Sequence, residues 1–371
     1  MTSDKVTNIL SIFDINGIVL RNRLVVAPMT RVTATEAGVP TQEMHDYYLR
    51  FARGGFGVVI TEGLYTDKAF SQGYLFQPGL ADSEQAAAWA NITKALQNEG
   101  AKMFAQIMHA GALSQGNRYR SHTVAPSAVQ PKGEQMVFYY GKGAYAKPLE
   151  ISQAEIEEVV RGFADTARRA VEAGFDGIEI HGANGYLLDQ FLTFETNQRS
   201  DQWGGDVERR VALLAEVVKA VKTEINGRIP VGIRISQGKV NDFTSKWAGG
   251  EADAEVIFRA LASAGVDFIH VTEFEAWKPA FEGGQTSLVA LAHRYAPGVS
   301  IIANGNLHSV ERAQDALGAG ASLVALGRSA LANPDMPKLL ASQREPRPFD
   351  SSILGPIADI KGHELSMELA A

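Results

Sequence analysis

The stretch Gly177-Ile-Glu-Ile-His-Gly-Ala-Asn-Gly-Tyr-Leu-Leu-Asp-Gln-Phe-Leu192 decides how the chain reads. Ile178 and Ile180 form a short apolar run, followed by a glycine-punctuated polar segment bearing His181, Asn184 and Tyr186, and then by an apolar piece of helical character. A strand, a permissive polar turn and a helix form the unit with which α/β proteins present catalytic side chains.

The same alternation extends outward in both directions. Leu24–Thr30, Gly57–Gly63 and Lys102–Ala110 precede the stretch as apolar, β-rich runs, and Pro230–Ser236, Phe268–Thr272, Ser300–Ala303 and Ser322–Leu326 follow it. Helical patterns fall between them at 41–53, Asp82–Asn98, Ser152–Ala173, Ala212–Ile225, Ala254–Ala264, 286–295, Ser309–Leu317 and Pro334–Ala341. Asp82 reads as an N-cap with Gly100 as its stop, and Ser152 with Glu155 as a capping box closed at Gly174. With Gly177–Ile180 as the fourth, eight near-continuously apolar strands are predicted, the mark of a parallel sheet buried on both faces. Eight βα units with no linker between them predict an α/β fold. Specifically, residues 1–371 read as a single (β/α)8 TIM barrel domain, with 111–149 a loop insertion after the third strand.

Composition narrows the function. A net charge of −7 with no run of Lys or Arg argues against nucleic acid or an anionic membrane as partner. The absence of cysteine excludes disulfides, thiolate metal sites and iron–sulfur clusters. Met1-Thr-Ser-Asp-Lys5 lacks a signal pattern and no apolar run approaches membrane-spanning length, so a cytoplasmic enzyme is expected.

In a barrel of this kind function gathers where strands end. Those positions hold Thr30, Glu62, Gly63, Gln106, His109, His181, Asn184, Arg234, Thr272, Glu273, Asn304, Gly305, Gly327 and Arg328. Any one of them reads equally well as a cap or a turn. Together they argue for a bound polar group, since burying Gln, His and Arg without partners costs several kcal/mol, roughly 2–7 for each neutral group. Ala303-Asn-Gly-Asn306 and Gly327-Arg328 follow the seventh and eighth strands, where barrels bind phosphate through backbone amides and a guanidinium. Other matches fail. Gly141-Lys-Gly-Ala-Tyr-Ala146 has the glycine spacing of a dinucleotide motif but no preceding strand, Ser236-Gln-Gly-Lys239 lacks companion motifs, and the histidines form no zinc pair.

These residues resemble the Old Yellow Enzyme family of FMN-dependent ene-reductases from about Phe13 to Leu340. The resemblance is carried by Asn22–Arg31, Thr61-Glu-Gly63, Gln106 with His109-Ala-Gly111, His181–Leu192, Thr196–Gly205, Arg234-Ile-Ser236 and Gly327–Asp335. It implies FMN across the strand ends, with Pro28, Met29 and Thr30 beneath the flavin, Gly63 allowing close approach, and Gln106 on the pyrimidine edge. Arg234 would sit near N1 and O2, with Asn304, Gly305, Gly327 and Arg328 on the phosphate. It further implies a ping-pong reaction in which NADH or NADPH reduces the flavin and an activated alkene then takes its place. His181 and Asn184 would polarise the substrate and Tyr186 would protonate it.

The chain departs from the family pattern at Ala112, where many relatives carry Arg, at Met108, where some carry a pocket Trp, and at Arg209, where Asn is frequent. No counterpart of a carboxyl-terminal pocket Tyr is found. Trp277, Phe274, Tyr65 and Tyr74 are candidate pocket walls. The alternatives are another FMN-barrel chemistry, such as oxidative demethylation or desaturation, and a flavin-binding barrel without turnover. The related dienoyl-CoA reductases need a cysteine-ligated cluster that this chain cannot build.

Overall fold

Eight parallel strands close on themselves. The computed structural model describes residues 8–370. In chain order the strands are β1 (Leu24–Val26), β2 (Val58–Ile60), β3 (Lys102–Met108), β4 (Gly177–Asn184), β5 (Val231–Lys239), β6 (Phe268–Thr272), β7 (Ser300–Asn304) and β8 (Leu323–Leu326). Each pairs in parallel with its sequence neighbours, and the ring closes where Leu326 pairs with Val26. The expected barrel is therefore the observed fold.

Alternation along the strands fills the inside. Val25, Val58, Ile60, Phe104, Phe268, Ile302, Leu323 and Ala325 pack as one interior cluster. Ile15 and Leu20 join it from an antiparallel hairpin (Phe13–Ile15 with Ile18–Leu20) that turns at Asn16 and Gly17, both at positive φ. Such a turn needs left-handed residues, which Asn and Gly supply at least cost. The hairpin plugs the amino-terminal mouth, leaving the opposite mouth for a site.

Helices sheathe the outside: α1 (Gln42–Arg53), α2 (Ser83–Asn98), α3 (Gln153–Glu172), α4 (Ala212–Ile225), α5 (Glu251–Ser263), α6 (Leu288–Tyr295), α7 (Val310–Gly318), α8 (Arg328–Ala332) and α9 (Met336–Ala341). Asp82 caps α2 by accepting from the Gln85 amide at 2.8 Å. Ser152 and Glu155 form the predicted capping box on α3. Two expectations need correction. The predicted last helix is observed as α9, starting at Met336 and not at Pro334, and the short helix α8 before it was not predicted. Helix α5 starts at Glu251, ahead of the predicted Ala254, because the left-handed Gly250 begins it.

Two strands also run further than the sequence predicts. β4 extends through His181 to Asn184, and β5 reaches Lys239, with an irregularity in their pairing between Ile235 and Lys239. The polar groups of the opening stretch therefore stand on a strand end rather than a loose loop. Residues 111–149 hold a 3-10 turn (Gly111–Leu113), a strand (Val124–Ala125) paired with Leu149–Glu150, and a second 3-10 turn (Val137–Tyr139). The carboxyl-terminal segment folds back to the barrel mouth, where Arg31, fully buried, pairs with Glu364 and donates to the Ala358 carbonyl at 3.0 Å. Among the described residues no helix is long and apolar enough to cross a membrane.

Candidate active site

A cavity of about 1280 Å³ opens at the carboxyl ends of the strands. Ordinary small-molecule pockets measure ~300–1,000 Å³, so this one has room for a cofactor and a second ligand. Every sequence-predicted site residue lines it: Pro28, Met29 and Thr30 beyond β1, Gly63 beyond β2, Gln106 on β3, His181 and Asn184 on β4, Tyr186 after it, Arg234 on β5, Asn304 and Gly305 at β7, and Gly327 and Arg328 after β8. Of the other strand-end candidates, Glu273 also lines it, whereas Glu62, His109 and Thr272 do not. Glu62 lies behind the wall, accepting from the Arg31 amide at 2.9 Å and the Tyr48 hydroxyl at 3.3 Å, and burial raises its carboxyl to about 7. His109 braces a turn instead, its Nδ1 accepting from the Gly111 amide at 3.1 Å.

The β4 end is built tightly. Asn184 takes a left-handed φ of 64° and Gly185 one of 87°, a conformation Asn and Gly adopt more readily than other residues. The Asn184 amide donates to Ser236 Oγ at 2.8 Å, its carbonyl accepts from the Val240 amide at 3.1 Å, and the Gly185 amide donates to Asp189 at 2.6 Å. Asp189 is in turn paired with Lys239 Nζ at 2.6 Å, both groups buried. These contacts hold His181 and Tyr186 side by side, ring centroids 5.0 Å apart. Burial raises the Tyr186 phenol to about 12, so it is a proton donor at neutral pH. Its hydroxyl bonds to that of Tyr74. Burial, with Arg234 and His270 nearby, pushes His181 well below the ordinary imidazole range. A neutral ring is favoured there, able to donate one N–H.

The remaining walls suit a flavin and its phosphate. Arg234 Nη2 donates to Asn304 Oδ1 at 2.9 Å and to Thr272 Oγ1 at 3.2 Å, while its Nε is buried without a partner. His181 Nδ1 is likewise orphaned. Buried polar atoms of this kind ordinarily find partners, and here they border one cavity. A methyl group at Gly63 would collide with Met108 Sδ at 2.0 Å, and one at Gly305, where φ is 141°, would meet the Glu273 carbonyl oxygen at 2.2 Å. Gly327 has no such constraint, its nearest neighbour lying 3.7 Å away. Arg328 is exposed at the cavity edge. Cationic guanidinium at two places and a side-chain amide, all bordering one cavity, fit FMN.

A family model described as the NADH:flavin oxidoreductase / NADH oxidase family matches residues 10–347. The chain belongs to this family, that of Old Yellow Enzyme. The chemistry of the family is flavin oxidoreduction with FMN as cofactor and a nicotinamide as reductant. A probable flavin mononucleotide-dependent alkene reductase of Leishmania infantum is 34% identical over 333 residues, covering 87% of each chain. The Old Yellow Enzyme homologue of Zymomonas mobilis superposes with a TM-score of 0.86 at 28% identity, covering 97% of this chain and 98% of that one. An NADH oxidase of Thermoanaerobacter brockii is 33% identical over 349 residues, and the matched region spans only 51% of its length.

Several wall residues were not anticipated from sequence. Met136, Phe138 and Tyr139 come from the insertion, Val240 and Phe243 from the loop after β5, and Arg347, Phe349 and Leu354 from the carboxyl-terminal segment. Phe274 lines the cavity as suggested, whereas Trp277, Tyr65 and Tyr74 do not. Trp277 instead lies under the Arg312 guanidinium, and Tyr65 bonds Tyr119. Tyr74 stands one layer back, behind Tyr186.

Proposed function

We propose that the protein is an FMN-dependent ene-reductase that uses NADH or NADPH to saturate electron-poor C=C bonds in small molecules such as enones, maleimides and nitroalkenes. Pro28, Met29 and Thr30 would form the floor of the flavin site. Gly63 and Gln106 would meet its pyrimidine edge, Arg234 would place positive charge beside it, and Asn304, Gly305, Gly327 and Arg328 would hold the phosphate. FMN, when bound there, would supply the two-electron hydride chemistry that links the nicotinamide to the alkene.

The protein's own part is binding, polarisation and proton delivery. His181 and Asn184 donate hydrogen bonds to the carbonyl or nitro oxygen of the substrate. Negative charge grows on that oxygen as the β-carbon is attacked, so donors fixed in advance stabilise the transition state more than the ground state. Tyr186 then gives its phenolic proton to the α-carbon, and the bond with Tyr74 steadies the phenolate left behind.

The observation that carries the reading is the rigid grouping of His181, Asn184 and Tyr186 in the same cavity as the cofactor-binding residues. That grouping favours turnover over flavin storage. Purified protein should be yellow, release FMN on denaturation, and oxidise NADH or NADPH when enones, maleimides or nitroalkenes are supplied. Colourless protein that cannot be reconstituted with FMN would sink the proposal.

A further inference from the structure

Beneath the cavity floor lies a polar chain that the reaction does not touch. Gln106 Nε2 donates to Glu179 Oε1 at 2.8 Å, and His270 Nδ1 lies 2.7 Å from Glu179 Oε2. Glu179 and His270 are fully buried and neither lines the cavity. Below this level the inward positions of β4 and β6 are Gly177 and Phe268, the latter paired across from Gly232, while Ile178 and Ile180 face the outer helices. A carboxylate in such surroundings needs partners, and one of those it has is a residue of the proposed flavin site.

We propose that Glu179 is a positioning residue that locks the Gln106 amide so that its carbonyl oxygen, and not its NH2 group, faces the cofactor. The chemistry leaves little freedom. A carboxylate only accepts hydrogen bonds, so the amide nitrogen must turn toward Glu179 and the oxygen away from it. Gln106 Oε1 then stands at the cavity wall, 3.5 Å from where a methyl group on Gly63 would sit. The strand register holds the partners in place: Gln106 pairs with Glu179 between β3 and β4, and His270 pairs with Arg234 between β6 and β5. His270 fixes the second carboxylate oxygen, so turning Glu179 away from the amide would disturb both contacts. An acceptor held there selects a ligand N–H. In a flavin that is N3–H, the one donor between two carbonyl acceptors on the pyrimidine edge. An acceptor and a buried negative charge both disfavour adding electrons to the ring, so the lock also lowers the reduction potential.

The inference rests on FMN binding to the site. The test compares wild type, Glu179→Gln and Glu179→Asp for affinity toward FMN and 3-methyl-FMN, with the midpoint potential of the bound flavin measured in parallel. The wild type should bind 3-methyl-FMN at least about tenfold more weakly than FMN, because methylation removes the selected donor. In Glu179→Gln the amide can turn over, so that preference should shrink severalfold and the potential should rise by about 30 mV, a tenfold change for two electrons. Glu179→Asp keeps the charge but withdraws from Gln106, so it should lose the preference with a smaller change in potential. An unchanged preference and potential in both variants would overturn the lock. So would failure of both to hold flavin while the wild type holds it, since that marks a folding role. A wild type that binds neither flavin instead removes the underlying functional reading.

Discussion

The two ends of the cavity are built on different principles. At β7 and β8 the residues proposed for the phosphate lie where the chain leaves each strand, Gly305, Gly327 and an exposed Arg328, with the Asn304 side chain held by Arg234, Thr272 and the Ala325 carbonyl. At β4 the groups proposed to react are set by neighbours from elsewhere, with Ser236 and Val240 on the Asn184 backbone, Asp189 and Lys239 on Gly185, and Tyr74 on Tyr186. An end that binds needs complementary charge and close approach, whereas an end that reacts needs orientation fixed before the ligand arrives. Substitutions at β4 should therefore affect rate, and those at β7 and β8 cofactor retention.

The largest effect should come from Tyr186→Phe. Removing a positioned proton donor costs roughly 10²–10⁴-fold in the step it serves. Stopped-flow measurement should show that loss in reoxidation of the reduced enzyme by a weakly activated enone, with reduction by NAD(P)H nearly unchanged. Equal slowing of both halves would mean that the β4 end is a packing feature and would erase the contrast.

His181→Ala comes next. A hydrogen bond to a charged group is worth ~1.5–3 kcal/mol, so binding of a para-substituted phenolate, seen as a long-wavelength charge-transfer band, should weaken roughly 10–150-fold. In the wild type the pH dependence has a definite sign. Because the His181 pKa lies well below the ordinary imidazole value of about 6.5, the ring stays neutral as pH falls through that value, and the binding site itself should show no imidazole titration there. The unfolded chain does take up that proton, so the His181 contribution to folded stability should fall as pH drops below about 6.5. Because the raised Glu62 carboxyl acts in the opposite direction over the same range, the comparison is with His181→Ala, and a wild type whose stability falls no more steeply on acidification than that of the variant would contradict a buried neutral His181.

Gly305→Ala tests the other end. At a φ of 141° an added Cβ would lie 2.2 Å from a backbone oxygen that cannot swing away. Strained backbone of this kind costs ~1–3 kcal/mol. The variant should unfold at lower temperature and release FMN more readily, while any enzyme still loaded should keep its relative rates across substrates. A change in substrate ranking with full FMN retention would show the two ends are not separable.

How much of this was legible in sequence follows the same division. The strands, the barrel and the residues that line the cavity were readable because each residue occupies the end of its own strand, and strand ends announce themselves as apolar runs stopped by Gly, Asn or a polar residue. Gly305 and Arg328 needed no knowledge of their neighbours. The roof was opaque because its residues share no local pattern: Tyr139 reaches the Thr30 carbonyl across more than a hundred residues of chain, and Ala358 donates to the Phe138 carbonyl from the far terminus. Tyr74 was suspected as a wall and proved to be a support, a distinction that depends on depth and leaves no trace in spacing. Glu179 was hidden differently. It sits inside the very stretch that decided the fold, but a lone acid between two isoleucines reads as a strand residue until its partners on β3 and β6 are known.

The smallest expected effect lies on that roof, at Phe243. Its ring is 74% exposed, so truncation to Ala removes little buried surface. Surface changes of this kind generally stay within ~0.5 kcal/mol of stability. Yet Phe243 lines the cavity mouth together with Phe138 and Phe274, also exposed. An apolar substrate entering there would cover part of the ring, and burying apolar area yields roughly 25 cal/mol per Å². Covering a few tens of Å² therefore changes affinity only severalfold. Phe243→Ala should leave the melting temperature and the rate of flavin reduction alone, and raise KM severalfold for bulky enones but not for small ones. If KM rose equally for small and bulky substrates, Phe243 would have to act on the β4 groups themselves, and the roof would join the preorganised end instead of being an adjustable rim above it.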